Sequence, residues 1–248
     1  MNIKDFYQLI ERIKKSESEH CLKGLCQEFC EMSGMEYFIL TTIENKSLYS
    51  STLKSESNLE KELIKKILSD REKTNNFLSS QMNRNIPQSW SKKKHKKTRT
   101  NNIMELIEIL SKNGLNSGIN IPLKTHDSDL VYFNMISKKE HNFDFLDSIL
   151  LYAHTFATHL ISTLLKIKEN NHPVKQLSQR ESDCLFWACE GKTAWEISKI
   201  IGLSQRTVTF HLMNIIEKLR ANNRQHAVAL AIMKGIVKPN FEKIQSNI

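Results

Sequence analysis

Three helix starts separated by two tight turns lie between residues 177 and 219, and they fix what this part of the chain can fold into. Ser178 and Glu181 have the Ser-x-x-Glu spacing of a capping box. In that device the hydroxyl accepts a first-turn N–H and the carboxylate reaches back to the cap's own N–H. Thr193 and Glu196 repeat the spacing, and Ser204 is placed to cap a third helix running through about Ala221. Gly191 is placed to end the first helix in the left-handed conformation, and Gly202 falls where the second, short helix stops.

The third helix has one apolar stripe, Val208, Leu212, Ile215 and Leu219, on one side of a 3.6-residue period. Its other face carries Arg206, Phe210, Met213 and Asn214, with Gln205 and Thr209 at the edges. A helix that only packs a core has no use for that mixture at its exposed N-terminal end. A recognition helix entering the major groove does. Arg206 suits a bidentate contact to guanine, Gln205 and Asn214 suit adenine, and Phe210 or Met213 suits a thymine methyl. Lys192, Thr193, Ser204, Thr207 and Lys218 complete the DNA-facing set, with Lys192, Thr193, Thr207 and Lys218 expected to hold phosphates. A fourth helix is expected from about Arg224 to Gly235, too apolar to be fully solvated. Between Val174 and Pro239 there are 10 Lys and Arg against 5 Asp and Glu, the basic footprint that phosphate binding requires.

This segment resembles the LuxR-type DNA-binding domain. The likeness rests on Leu177-Ser178, Arg180-Glu181, Glu190-Gly191-Lys192, Glu196-Ile197, Ser204, Thr207-Val208, His211, Asn214, Lys218-Leu219 and Asn223-Arg224, and continues through Ala227–Ala231, Gly235 and Ile236. Thr193-Ala-Trp-Glu-Ile197 with Thr207-Val-Thr-Phe-His211 looks most like the quorum-sensing branch. The resemblance implies a four-helix unit over residues 174–240, dimerisation through its last helix and binding to inverted-repeat promoter sites.

The 248 residues suffice for two domains. The net charge of +9 is local: beyond the DNA segment it sits in the run Lys92–Arg99, read as a solvated loop or as extra phosphate contact. The five cysteines include no Cys-x-x-Cys pair, as expected of reduced, mostly buried thiols in the cytoplasm. Charges are scattered from Met1 to Lys15, unlike a signal peptide, and the apolar stretches read as too short for a membrane span. No catalytic constellation, metal-ligand spacing or cofactor motif stands out; Asp127 and Asp129 read as turn residues.

Residues 1–168 read as mixed α and β, followed by a linker at 169–173. Helical spacing covers Phe6–Ile13, Leu22–Phe29, Leu59–Leu68, Ile103–Leu110 and Leu146–Ile167. Strands are expected at Tyr37–Ile43, Leu48–Leu53, Gly118–Leu123 and Leu130–Ile136. The fold class is therefore α+β: an N-terminal α/β/α sandwich on a mostly antiparallel sheet, plus a C-terminal four-helix helix-turn-helix domain. An early acidic pocket and parallel βα repeats are missing, which disfavours a phosphoacceptor receiver domain.

Pro87-Gln-Ser-Trp90, Gly114, Gly118 and Ile121-Pro122-Leu123 resemble part of the autoinducer-binding domain of quorum-sensing LuxR proteins. That family grips acyl-homoserine lactones with a Trp-x-x-x-Tyr pair and an Asp-Pro dipeptide upstream of this tryptophan. Counting back places Glu62 and Lys66, then Asn75-Asn76, at those positions, and no tryptophan precedes Trp90. An Asn accepts the ligand's amide N–H more weakly than a carboxylate, and buried Glu or Lys is costly. The usual lactones are therefore disfavoured. Trp90, Tyr37, Tyr49, Asn75 and Phe133 are the candidate ligand-lining residues.

These readings point to a transcriptional regulator that binds double-stranded promoter DNA as a homodimer, with a small-molecule signal and RNA polymerase as further partners and no membrane. The alternatives are a ligand-independent regulator, or an interaction protein that forms mixed dimers with a true receptor.

Overall fold

The computed structural model describes residues 2–45, 50–68, 86–92, 101–125, 129–171 and 177–237. They form two compact units, one ending in the long helix before residue 172 and the other beginning after it.

The first unit opens with α1 (Ile3–Lys14) and α2 (Glu19–Ser33). Asn2 and Ser18 cap them through their side chains, and Gly34 closes α2 at φ +73°, where a Cβ would be strained. Then come β1 (Tyr37–Asn45), β2 (Ser51–Ser57), α3 (Lys61–Leu68), β3 (Gln88–Ser91), α4 (Asn101–Lys112), β4 (Ser117–Lys124), β5 (Leu130–Ser137) and α5 (Phe143–Asn171). The strands pair antiparallel in the order β2-β1-β5-β4-β3.

Alternation along the strands gives the sheet two apolar faces. Phe38, Leu40, Ile119, Ile121, Val131, Phe133 and Met135 meet α1, α2 and α5 on one side. There Phe29 stacks on Phe156 with ring centroids 4.1 Å apart. Ile39, Trp90 and Ile136 face the other way, against Leu59, Ile67, Ile107, Leu110 and Leu115 from α3, α4 and their flanks. Helices cover both faces, as the sequence pattern requires.

Three details depart from the sequence reading. The second strand is Ser51–Ser57, not Leu48–Leu53; it is a sheet edge, so hydroxyls replace an apolar alternation, with Ser57 donating to the Phe38 carbonyl and Ser55 bonded to Thr41. β3 is only four residues long and has no apolar period to betray it. Finally, α5 stays helical through Asn171, so residues 169–171 of the expected linker belong to the helix. By length and composition α5 could cross a membrane, contrary to the expectation from the sequence. In the fold it is a core helix: Leu146, Ala153, Phe156, Ala157 and Leu160 are all fully buried.

The second unit holds α6 (Gln179–Cys189), α7 (Ala194–Ile201), α8 (Gln205–Lys218) and α9 (Arg224–Met233). Both capping boxes form, at Ser178–Glu181 and Thr193–Glu196. Gly191 and Gly202 take φ +80° and +70° at the two turns. Cys184, Leu185, Ile197, Val208, Ile215 and Ala231 are the heart of one small core.

Candidate nucleic-acid interface

The apolar stripe of α8 settles its orientation. Val208, Leu212, Ile215 and Leu219 are buried, which turns the opposite face to solvent. Gln205, Arg206, Thr209, Phe210 and Met213 line one shallow, open surface there. Phe210 is 59% exposed and Met213 64% exposed. Two large apolar side chains held in water beside an arginine leave a surface that gains energy only on meeting a partner.

The three helix N-termini differ in charge. Glu181 and Glu196 stand in the first turns of α6 and α7, whereas α8 has no acidic residue in its first turn. The positive end of the α8 dipole and its unpaired N–H groups therefore remain available to an anion such as phosphate. Ser204 caps α8 by accepting the Thr207 N–H at 3.1 Å, and the two hydroxyls lie 2.8 Å apart. Thr193 gives its hydroxyl to Glu196 Oε2 at 2.7 Å, and these Thr193 bonds hold the Glu196 carboxyl below the usual carboxylate range. Both cap residues are exposed, while Lys192, Thr207 and Asn214 are half-buried.

The sequence suggests a phosphate contact for Lys218; in the fold its Nζ donates to Glu181 Oε2 at 2.6 Å. The Glu181 side chain is 5% exposed and also accepts the Ser178 N–H at 2.7 Å. Burial alone would raise this carboxyl's pKa; the bonds from Lys218 and Ser178 outweigh it and hold the pKa below the usual range. Lys218 thus ties the C-terminal end of α8 to the start of α6. Arg224, not singled out from sequence, donates to the Lys192 carbonyl and so pins the α6–α7 turn to α9. A basic residue in a basic segment gives no sequence signal of such a role.

The expected ligand-lining residues do not converge. Trp90 (7% exposed) and half-buried Tyr37 lie on the α3–α4 side of the sheet. Phe133 is fully buried on the opposite side, against Phe38 and Phe156. Phe133 is ordinary core, because odd-numbered β5 residues face α1, α2 and α5. Tyr49 and Asn75 lie outside the described residues. Glu62 and Lys66 are exposed on α3, and Leu63, Ile64 and Ile67 supply its inner wall instead, so those two charges are not buried.

Residues 175–231 match the family model described as bacterial regulatory proteins, luxR family. Over 244 residues the chain is 28% identical to the transcriptional activator protein LuxR of Aliivibrio fischeri, covering 96% of each. Residues 175–231 belong to the luxR family of bacterial regulatory proteins. VanR of Vibrio anguillarum, a transcriptional activator protein, is 37% identical over 133 residues, spanning 51% of this chain and 54% of VanR. Among solved structures, Escherichia coli SdiA superposes with a TM-score of 0.76 at 19% identity, covering 95% of this chain and 99% of that one. SdiA in complex with octanoyl-rac-glycerol gives 0.77 at 18% identity, covering 96% and 97%.

The luxR-type DNA-binding segment, with the likeness to a transcriptional activator over the whole length, makes the chain a DNA-binding transcription regulator rather than an enzyme. The family match spans α6, α7 and α8 and most of α9. It therefore includes the exposed α8 face and the Glu181–Lys218 pair that holds that helix in place.

Proposed function

We propose that this chain binds inverted-repeat promoter DNA as a homodimer, activates transcription through contact with RNA polymerase, and takes a small neutral amphiphile in its N-terminal unit, in the cytoplasm. One observation carries the reading: the α8 face, with Arg206 between exposed Gln205, Thr209, Phe210 and Met213. In this reading Arg206 and Gln205 meet base edges, Phe210 or Met213 meets a thymine methyl, and Lys192, Thr193, Ser204 and Thr207 hold phosphates. Asn214 sits deeper on the same face.

A homodimer is supported by α9. Ile232 is 58% exposed, one turn beyond Val228, which packs only partly against the unit's own core. The sign of regulation follows the activators to which the chain is similar. The ligand class follows two observations: the α3–α4 side of the sheet is walled by aliphatic residues, and a fold relative holds octanoyl-rac-glycerol. The departures noted in the sequence, Glu62 and Lys66 for the aromatic pair and Asn75-Asn76 for Asp-Pro, point away from the usual lactones.

Stoichiometry tests the dimer. In analytical ultracentrifugation, two chains occupy one inverted-repeat duplex whose half-sites lie about one helical turn apart. Ile232→Asp uncouples them and lowers affinity about tenfold, because the second site no longer gains from the first. Binding of one chain per duplex at full affinity would overturn this reading.

A further inference from the structure

The turn between α6 and α7 is held from α6, α7 and α9 at once. Gly191 takes φ +80°, and the next residue, Lys192, gives its N–H to the Trp187 carbonyl of α6 at 3.0 Å. The peptide that follows, from the Lys192 carbonyl to the Thr193 N–H, is bonded at both ends. Thr193 donates its N–H to Glu196 Oε2 of α7 at 2.7 Å. Arg224, the first residue of α9, donates from Nη2 to the Lys192 carbonyl.

For α9 by itself an arginine is poorly placed there. A helix N-terminus is the positive end of its dipole, and a cation in the first turn is disfavoured. The first turn of α9 contains no acidic residue to offset it. The offset lies across the turn, at the C-terminal, negative end of α6. Burial pushes the Cys189 thiol up, Glu190 adds to that shift and Arg224 opposes it, so the guanidinium charge reaches the last residue of α6. Arg224 is half-buried, and a bond from a charged donor is shorter and stronger than one between neutral groups.

Lys192 is therefore fixed on both sides of its Cα, the N–H by α6 and the carbonyl by α9. The direction in which its side chain leaves the backbone follows from those two bonds. Without the guanidinium the carbonyl loses its tie to α9, and ordering the turn is added to the cost of binding DNA. We propose that Arg224 is a positioning residue for DNA binding: it holds the Lys192–Thr193 peptide so that the Lys192 ammonium meets a phosphate, and it makes no phosphate contact of its own. The inference rests on the DNA reading made under Proposed function and adds a residue that acts through the turn.

Salt titrations of the full chain by fluorescence anisotropy test it, on a duplex that wild type selects from a random pool and on a scrambled one. Lys192→Ala weakens binding to both by about tenfold and reduces the slope of log K against log salt by about 0.9, the share of one phosphate. Arg224→Leu keeps an apolar stem, removes the donor and does the same. The double variant is no weaker than either single one, and its slope is again reduced by about 0.9, because both changes remove the same contact. Arg224→Lys keeps a cationic donor of shorter reach; it weakens binding about threefold and has no effect in the Lys192→Ala background. A slope reduced by about 1.8 in the double variant would overturn the proposal, because Arg224 would then hold a phosphate of its own. So would a folded Arg224→Leu that binds as wild type, or one with a lowered melting midpoint and an unchanged salt slope, the mark of a merely structural residue. If Arg224→Leu does not fold, the cycle with Arg224→Lys decides, and an equal loss in both backgrounds overturns the proposal. A wild-type slope in Lys192→Ala overturns the phosphate reading of this turn and the proposal together.

Discussion

Replacing Lys218 with methionine lowers the thermal midpoint of the DNA-binding unit by about 15 °C, although Lys218 lies on the basic helix expected to meet phosphate. Methionine keeps the length and the apolar stem but removes the ammonium that Glu181 Oε2 accepts at 2.6 Å. The Glu181 side chain, 5% exposed, is left with the Ser178 N–H donated to its Oε2. Breaking one side of a buried pair costs about 3 kcal/mol, and in a domain of this size each kcal/mol moves the midpoint by about 4–8 °C. Glu181→Gln in the same background recovers part of the loss, because the uncompensated charge goes with it. Circular dichroism melts of the two single variants and the double variant measure the coupling.

The same carboxyl sets a pH dependence. Its pKa in the folded unit lies below the ordinary value, the Lys218 and Ser178 bonds prevailing over burial. The unfolded chain therefore takes up the proton first as pH falls. The pair's contribution is whole above the unfolded value of about 4.3 and is lost as pH drops from there through the folded value. Melts of wild type between pH 7 and pH 3 show this loss, and Glu181→Gln shows a shallower one.

Gly118→Ala lowers the midpoint of the N-terminal unit by about 8 °C. A Cβ at this position would lie 2.5 Å from the Met135 carbonyl oxygen and 2.8 Å from two atoms of the Trp90 ring. Gly118 is paired with Trp90 on β3 and with Ile136 on β5, so the indole of Trp90 lies over the glycine in the space a side chain would fill. Backbone on one side and a 7%-exposed tryptophan on the other leave no flexible group to give way. Overpacking of this kind costs about 3 kcal/mol, and a unit of this size loses about 2–4 °C for each. Trp90→Leu/Gly118→Ala recovers part of the stability if the clash is the cause.

These residues show what the sequence discloses. Ser178, Glu181, Thr193 and Glu196 were legible because a capping box is local: four residues contain the whole device. The stripe from Val208 to Leu219 was legible because helical period alone decides which face is buried, and the exposed face then follows. The Lys218–Glu181 pair was not legible because the partners are 37 residues apart and nothing local marks a lysine as ion-paired. Phe133 was misread for a related reason: β5 is apolar on both faces, so alternation gives no sign of which side each residue takes.

We infer that the exposed N-terminal face of α8 reads DNA, with Arg206 at its centre. Fluorescence anisotropy at one fixed, moderate salt concentration tests it, using a duplex that wild type selects from a random pool and a scrambled duplex of equal length. Arg206→Ala, at an exposed position, leaves the melting curve unchanged. It weakens binding to the selected duplex by about 30-fold and to the scrambled one far less, so that the ratio between them narrows. Equal affinity of Arg206→Ala and wild type for the selected duplex would contradict the account.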